Sequence, residues 1–167
     1  KIMFSDMYGL TRATLLGYKN KTRRIIPEGT PLGSWEETEK KSKYKVGEVV
    51  AVAQRYSELS WDQDFYEKLC ATCKGLPQHV LAGWDNKMFV RADLMPNQIK
   101  FTDVVAERLQ DISDEDCLAE GIRRWTKDGK LFKYDLSDGF EMFDWQDKPR
   151  TPREAYAALI DKISGKG

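Results

Sequence analysis

The sequence predicts an α+β chain built on a small, mostly antiparallel β-barrel with flanking helices. Three observations lead there. The run Val49-Val50-Ala51-Val52-Ala53 is continuous, apolar and strand-sized, as expected of a strand covered on both faces. The strand candidates are short and do not alternate with helices, which disfavours a doubly wound parallel sheet. The dipeptides Asp128-Gly129 and Asp138-Gly139 are those that tight hairpin turns favour. At 167 residues the chain has the length of one domain, with a helical segment near 60–80 and an aromatic β-ribbon segment near 122–150.

Taken in order, residues 2–4 read as a short strand. Leu10, Ala13, Thr14 and Leu16 fit a helix over 9–16, closed by Gly17. Residues 23–26 read as a strand before Pro27. The polar stretch 28–43, with Gly29, Pro31, Gly33 and a charge cluster, reads as a mobile loop. The central strand follows within 44–56. Over 61–73, Trp61, Phe65, Tyr66, Leu69, Cys70 and Cys73 recur at helical spacing and form one apolar face. Residues 87–92 and 98–109 read as two strands separated by a turn at 95–97. Ser113 and Asp116 open a short helix closed by Gly121. One or two β-ribbons are expected over 123–148. Thr151, Pro152 and Glu154 then start a final helix, whose buried stripe is Tyr156, Leu159, Ile160 and Ile163 and which Gly165 and Gly167 end. The total is about six strands and four helices.

The 27 basic and 27 acidic residues cancel, so no overall field holds a nucleic acid and any such contact must come from a local patch. Three cysteines without dense spacing point to a reducing compartment. No apolar run approaches the ~18–20 residues of a membrane span, and the first twenty residues do not resemble a targeting signal. No membrane partner and a cytoplasmic location are the expectations.

A local patch exists. Lys19, Lys21, Arg23 and Arg24 place four cations in six residues of a neutral chain. The plain reading is a solvated cluster after a helix end, where free carbonyls favour cations by ~0.3–1 kcal/mol. The functional reading is one wall of a pocket. It draws on the pattern Gly17-x-Lys19-x-x-Thr22-x-Arg24, on YKVGEVVAV at 44–52 and on FTDVVAERLQDISDEDCLAEGI at 101–122. In this order the three segments resemble the ASCH family of PUA-like small β-barrels, and in particular uncharacterised ASCH-like proteins of phage and gut bacteria.

The resemblance implies an RNA-related role: recognition of RNA or a modified nucleoside in a cleft lined by the motif. Some members of the family hydrolyse the acetyl amide of N4-acetylcytidine. Carried over residue by residue, that activity gives catalytic roles to Lys19, Thr22 and Glu120, with Lys21, Arg23 and Arg24 around the substrate. Amide hydrolysis needs a base or nucleophile, an oxyanion donor and an acid for the departing amine. Lys19 serves as base only if it loses its proton. The neighbouring cations favour that, and an ionised Glu120 opposes it. A charged Lys19 paired with Glu120 would instead build a binding pocket. A third class, a protein-interaction factor of phage or mobile elements, would work through the ribbon at 123–145. The family also continues past the final helix into a closing strand, so the resemblance implies a barrel short of one strand, with an exposed edge that favours homo-oligomers.

Two further features compete. Cys70-x-x-Cys73, with His79 and Cys117, has the residue types of a zinc site. Both cysteines of the pair fall on the apolar helix face, however, so they read as packed thiols and neither metal nor cofactor is expected. The ribbon interleaves Trp125, Phe132, Tyr134, Phe140, Phe143 and Trp145 with charge. Exposed aromatics stack unpaired bases at ~1–3 kcal/mol each, but aromatics in hairpins also cover core edges, and the acidic residues between Asp135 and Asp144 would repel phosphate.

Overall fold

The computed structural model describes residues 1–26, 29–30, 33–137 and 139–165. In chain order its elements are α1 (Leu10–Leu15), α2 (Trp35–Lys40), β1 (Val49–Ala51), α3 (Tyr56–Leu59), α4 (Gln63–Thr72), β2 (Gln98–Lys100), α5 (Asp114–Ala119), β3 (Arg123–Thr126), β4 (Phe132–Asp135) and α6 (Pro152–Ser164). Helix and strand are mixed, as expected. Among the described residues the strands pair only as β1–β2 and β3–β4, both antiparallel, and these short ladders do not close a barrel. Helices are therefore more numerous and strands fewer than the sequence pattern predicts.

The chain forms two compact units, each assembled from two separated segments. The first takes residues 1–4 and 39–105, and the second takes 5–38 and 106–167.

In the first unit β1 pairs with β2 in the register Val50↔Ile99. The strand expected at 2–4 contracts to one parallel bridge, in which Ile2 donates to the Ala51 carbonyl at 2.8 Å and accepts from the Ala53 amide at 2.9 Å. Asp62 caps α4 by accepting from the Phe65 amide at 2.9 Å. Phe65, Leu69 and Cys73 then line one face and enter a core with Ala53, Tyr56, Leu59, Val90 and Leu94. Trp61, expected on that face, precedes the helix and is exposed. The strand expected at 87–92 is absent. Asn86 Oδ1 accepts from the Met88 amide at 2.9 Å, a local bond that holds Lys87–Phe89 in a 3₁₀ turn rather than a ladder. The strand expected over 98–109 shortens to β2.

The cysteines of this unit are packed. Cys73 donates to the Leu69 carbonyl at 3.1 Å, and Cys70 accepts from Gln78 Nε2 at 2.9 Å. Burial, and secondarily Cys70, push the Cys73 thiol up. Cys117 belongs to the second unit. Among the described residues no group of three or more His, Cys, Asp or Glu side chains could hold a metal ion.

In the second unit α1 begins after Gly9, whose φ of 63° and place under the Phe140 ring leave no room for a Cβ. Gly17, at φ 77°, ends it. Thr151 caps α6 by accepting from the Glu154 amide at 3.3 Å, and Gly165 terminates it with φ 72°. Gly167 lies outside the described residues. The buried stripe of α6 is Ala155, Tyr156 and Leu159, one step round from the expected one, so Ile163 is exposed. Asp128-Gly129 turns β3 into β4, with Asp128 Oδ1 accepting from the amides of Lys130 and Leu131 at 2.9 Å each. At the second hairpin dipeptide, Asp138 lies outside the described residues, and no further strand pair follows Gly139 among those described. Residues 23–26 form no strand, and Ile25 is exposed.

The loop expected over 28–43 contains α2. Glu28, Pro31 and Leu32 lie outside the described residues. Ser34 Oγ accepts from the Glu37 amide at 3.3 Å and Glu37 Oε2 accepts from the Ser34 amide at 3.0 Å, a reciprocal capping box that starts the helix.

Candidate functional site

The candidate site lies within the second unit, where residues 17–24 meet α5. Ser113 Oγ opens that helix by accepting from the Asp116 amide at 3.0 Å. Its C-terminal carbonyls lack helical partners, and the Ala119 carbonyl accepts from the amides of Asn20 at 2.9 Å and Lys21 at 3.1 Å. Gly121, with φ 110°, turns the chain away directly behind Lys19. A Cβ there would stand 3.3 Å from Leu10 Cδ2 and 3.8 Å from Lys19 Cβ.

This backbone pairing delivers Lys19 to Glu120 across 101 positions of sequence. Lys19 Nζ donates to Glu120 Oε2, to the Glu120 carbonyl at 3.1 Å and to the Lys21 carbonyl at 2.7 Å. Both residues are buried, 5% and 4% exposed. Arg23 reaches the same carboxylate from the other side, with Nη1 3.2 Å from Glu120 Oε1. It also donates to Asp116 Oδ2 at 2.7 Å and, through Nε, to Glu107 at 2.8 Å. Lys21 Nζ donates to Asp116 Oδ1. Cations and carboxylates thus alternate through the cluster, from the buried Lys19–Glu120 pair out to the exposed Lys21 and Glu107.

The titrations follow from these partners. Burial draws the Lys19 ammonium below its ordinary value, with Arg24 and Arg23 pushing the same way against Glu120. The hydrogen bond from Lys21, helped by Arg23, holds the Asp116 carboxyl low. Burial opposes the Arg23 guanidinium, but its three carboxylate partners outweigh it and hold it high. Tyr156 of α6 is buried near Glu120, and both burial and that carboxylate raise its phenol. Cys117 is pushed up to about 11 by burial.

Of the residues singled out in the sequence, Lys19, Lys21, Arg23 and Glu120 come together. Thr22 is half-buried and its hydroxyl bonds to no described residue, while Arg24 is on the exposed side. The Lys19–Glu120 pair is sealed rather than open. An ammonium has three protons, and Lys19 has three oxygens receiving them. A neutral amine would turn its lone pair towards one of those oxygens. In this arrangement the pair locks two walls together.

The open surface lies beside the lock. A cavity of about 270 Å³ is lined by Arg12, Tyr18, Arg123, Arg124 and Trp125 among others. A second hollow, bounded by Asn20, Leu118 and Ala119, shares Tyr18, Arg123 and Arg124 with it. The Arg123 guanidinium lies 4.0 Å from the Tyr18 ring centroid, and that of Arg124 lies 4.6 Å from Phe132. Sequence reasoning misses these arginines. The available signal is Arg123-Arg124 at the start of the aromatic ribbon, a segment whose rings dominate its pattern.

Two of the ribbon's acids, Asp135 and Glu141, are tied up within it. The Asp135 carboxylate is buried and accepts from the amides of Leu136 at 2.8 Å, Met142 at 2.9 Å and Phe143 at 3.1 Å. Lys148 Nζ sits 2.5 Å from Asp135 and 2.7 Å from Glu141. Burial lowers that ammonium, but its bonds to the two carboxylates prevail and hold it above its ordinary value. Several rings are occupied as well: Lys148 lies 5.1 Å from the Trp125 ring, and Lys127 and Lys133 lie 4.9 and 5.3 Å from Trp145.

No protein-family description matches the chain, and no curated protein or solved structure matches it. Among the described residues no helix is long and apolar enough to cross a membrane.

Proposed function

We propose that this chain is an ASCH-like domain of the PUA-like barrel type, and that it recognises RNA or a modified nucleoside beside the Gly17-x-Lys19-x-x-Thr22-x-Arg24 motif. The observation that carries the reading is the Lys19–Glu120 lock, which ties the motif to α5 next to hollows lined by Tyr18, Arg123 and Arg124. Aromatic and arginine surfaces together suit a base and its phosphate. The test is binding of labelled single-stranded RNA and of N4-acetylcytidine by the purified protein. Binding of either that weakens in a Tyr18→Ala variant supports the reading, and binding of neither refutes it.

Amide hydrolysis on an N4-acetylcytidine-like base is the second reading, favoured by the lowered Lys19 ammonium. Lys19, once neutral, would take a proton from water as the water attacks the acetyl carbonyl. Thr22 would donate to the oxyanion, and the departing amine would be protonated through Glu120. Substrate must first displace the Lys21 carbonyl from Lys19. Release of cytidine by the wild type, lost in Lys19→Arg and Glu120→Gln proteins that keep their near-ultraviolet dichroism, would establish it. Equal release by either variant would dismiss it.

A further inference from the structure

We infer that Arg12, Arg123 and Arg124 form a phosphate-binding groove that takes the sugar–phosphate backbone of a single-stranded RNA across Tyr18. This rests on the recognition reading above and names a surface that the sequence motif does not include.

Arg23, Arg55, Arg91 and Arg153 each meet a carboxylate. Among the described residues Arg12, Arg123 and Arg124 meet none, although the chain holds as many acids as bases. All three are exposed on the wall of one cavity. Three acids of the ribbon are committed elsewhere, Asp135 and Glu141 to Lys148 and Asp128 to the amides of its own turn. Among the described residues, guanidinium groups that meet no carboxylate therefore collect at this groove.

The geometry also selects the ligand. Arg123 and Arg124 lie over the rings of Tyr18 and Phe132. A guanidinium held by its face keeps the donors on its edge, and that edge matches the two oxygens of a phosphate. At about 270 Å³ the cavity falls just under the range of drug-sized pockets. It suits one phosphate and sugar rather than a whole ligand. The second hollow, beyond Tyr18, uses the same two arginines. Two hollows sharing one pair of cations fit an extended polyanion that passes across them better than a single free anion, and of the Tyr18 ring the face opposite Arg123 is left to an unpaired base.

The experiment measures affinity for a labelled ten-nucleotide single-stranded RNA over a range of salt, in the wild type and in Arg12→Gln, Arg124→Gln and the control Arg91→Gln. Parallel titrations use inorganic pyrophosphate and uncharged N4-acetylcytidine. The expected result is several-fold weaker RNA binding in each groove variant. The slope of log K against log salt should flatten by about 0.7 for each phosphate that is no longer neutralised. Arg91→Gln should match the wild type, and nucleoside binding should not change. RNA binding with an unaltered slope in both groove variants overturns the groove and leaves the recognition reading standing. So does nucleoside binding in a protein that binds no RNA. Arginine-dependent binding of pyrophosphate without RNA identifies a free-anion site and overturns the strand. Failure of RNA and nucleoside alike overturns both proposals.

Discussion

Lys19 is held by three oxygens, one of them from the Glu120 carboxylate. Replacing it with methionine leaves a buried carboxylate short of a partner, a change that costs about 3–5 kcal/mol. Arg23 still reaches Glu120, so the loss should fall at the lower end. Urea denaturation should show it, and the double variant Lys19→Met with Glu120→Leu should recover most of it, because removing both charges removes the desolvation cost. A recovery no better than the single variant would mean that the two residues are not coupled. Protonation gives a second handle. Asp116 has its carboxyl held below the ordinary 3.8, so the folded protein releases that proton more readily than the unfolded chain. Its stabilisation is present above pH ~4 and fades as pH falls through the folded value. An Asp116→Asn protein should lose this part of its acid dependence. Lys19 has the opposite consequence: its value is lowered from 10.5, so the unfolded chain holds the extra proton and stability from this group rises with pH towards 10.5. Urea midpoints measured against pH in the two variants separate these contributions.

Among the elements, those specified by their own end residues are legible in the sequence. Gly17 after α1, Ser113 before α5, Thr151 before α6 and Asp128-Gly129 between β3 and β4 all act within a few residues of themselves, so spacing alone reveals them. The capping pair Ser34 and Glu37 is equally local but is hidden among charges that read as a loop. The strands expected at 87–92 and 23–26 fail for a different reason. A strand needs a partner, and no pattern within six residues says whether one arrives. Of the site, the meeting of Lys19 with Glu120 is what the resemblance implies, whereas its sealing is not, because the Lys21 and Glu120 carbonyls that close it depend on how the chain turns. Gly121 governs that turn. Gly121→Ala, forced to φ 110° and pressed against Leu10, should cost about 1–3 kcal/mol in thermal or urea unfolding. A neutral result would show that residues 17–24 do not depend on this bend.

At the level of the whole molecule, each unit draws on two separated stretches of chain. A contiguous fragment of residues 106–167 carries Glu120, Asp116 and α6 but lacks α1, Lys19 and Arg23. It should show no cooperative unfolding transition alone, and adding a peptide of residues 5–38 should restore one. Cooperative unfolding of the fragment by itself would place the stability of this unit in α5, the ribbon and α6. The mixed order of the chain also explains why composition is a poor guide here. Net charge is zero over 167 residues, yet among the described residues three arginines that meet no carboxylate gather on one cavity, while Asp135 is buried against Lys148.

The distance between Lys19 and Glu120 along the chain also has a consequence in time. A ribosome adding roughly 5–20 residues per second needs about 5–20 s to travel the 101 positions between them. Throughout that interval the nascent lysine loop has no Glu120 to meet, and the residues around it remain open to proteases and to chaperones. Translation speed across residues 20–120 therefore sets how long the newborn protein waits for its own closure.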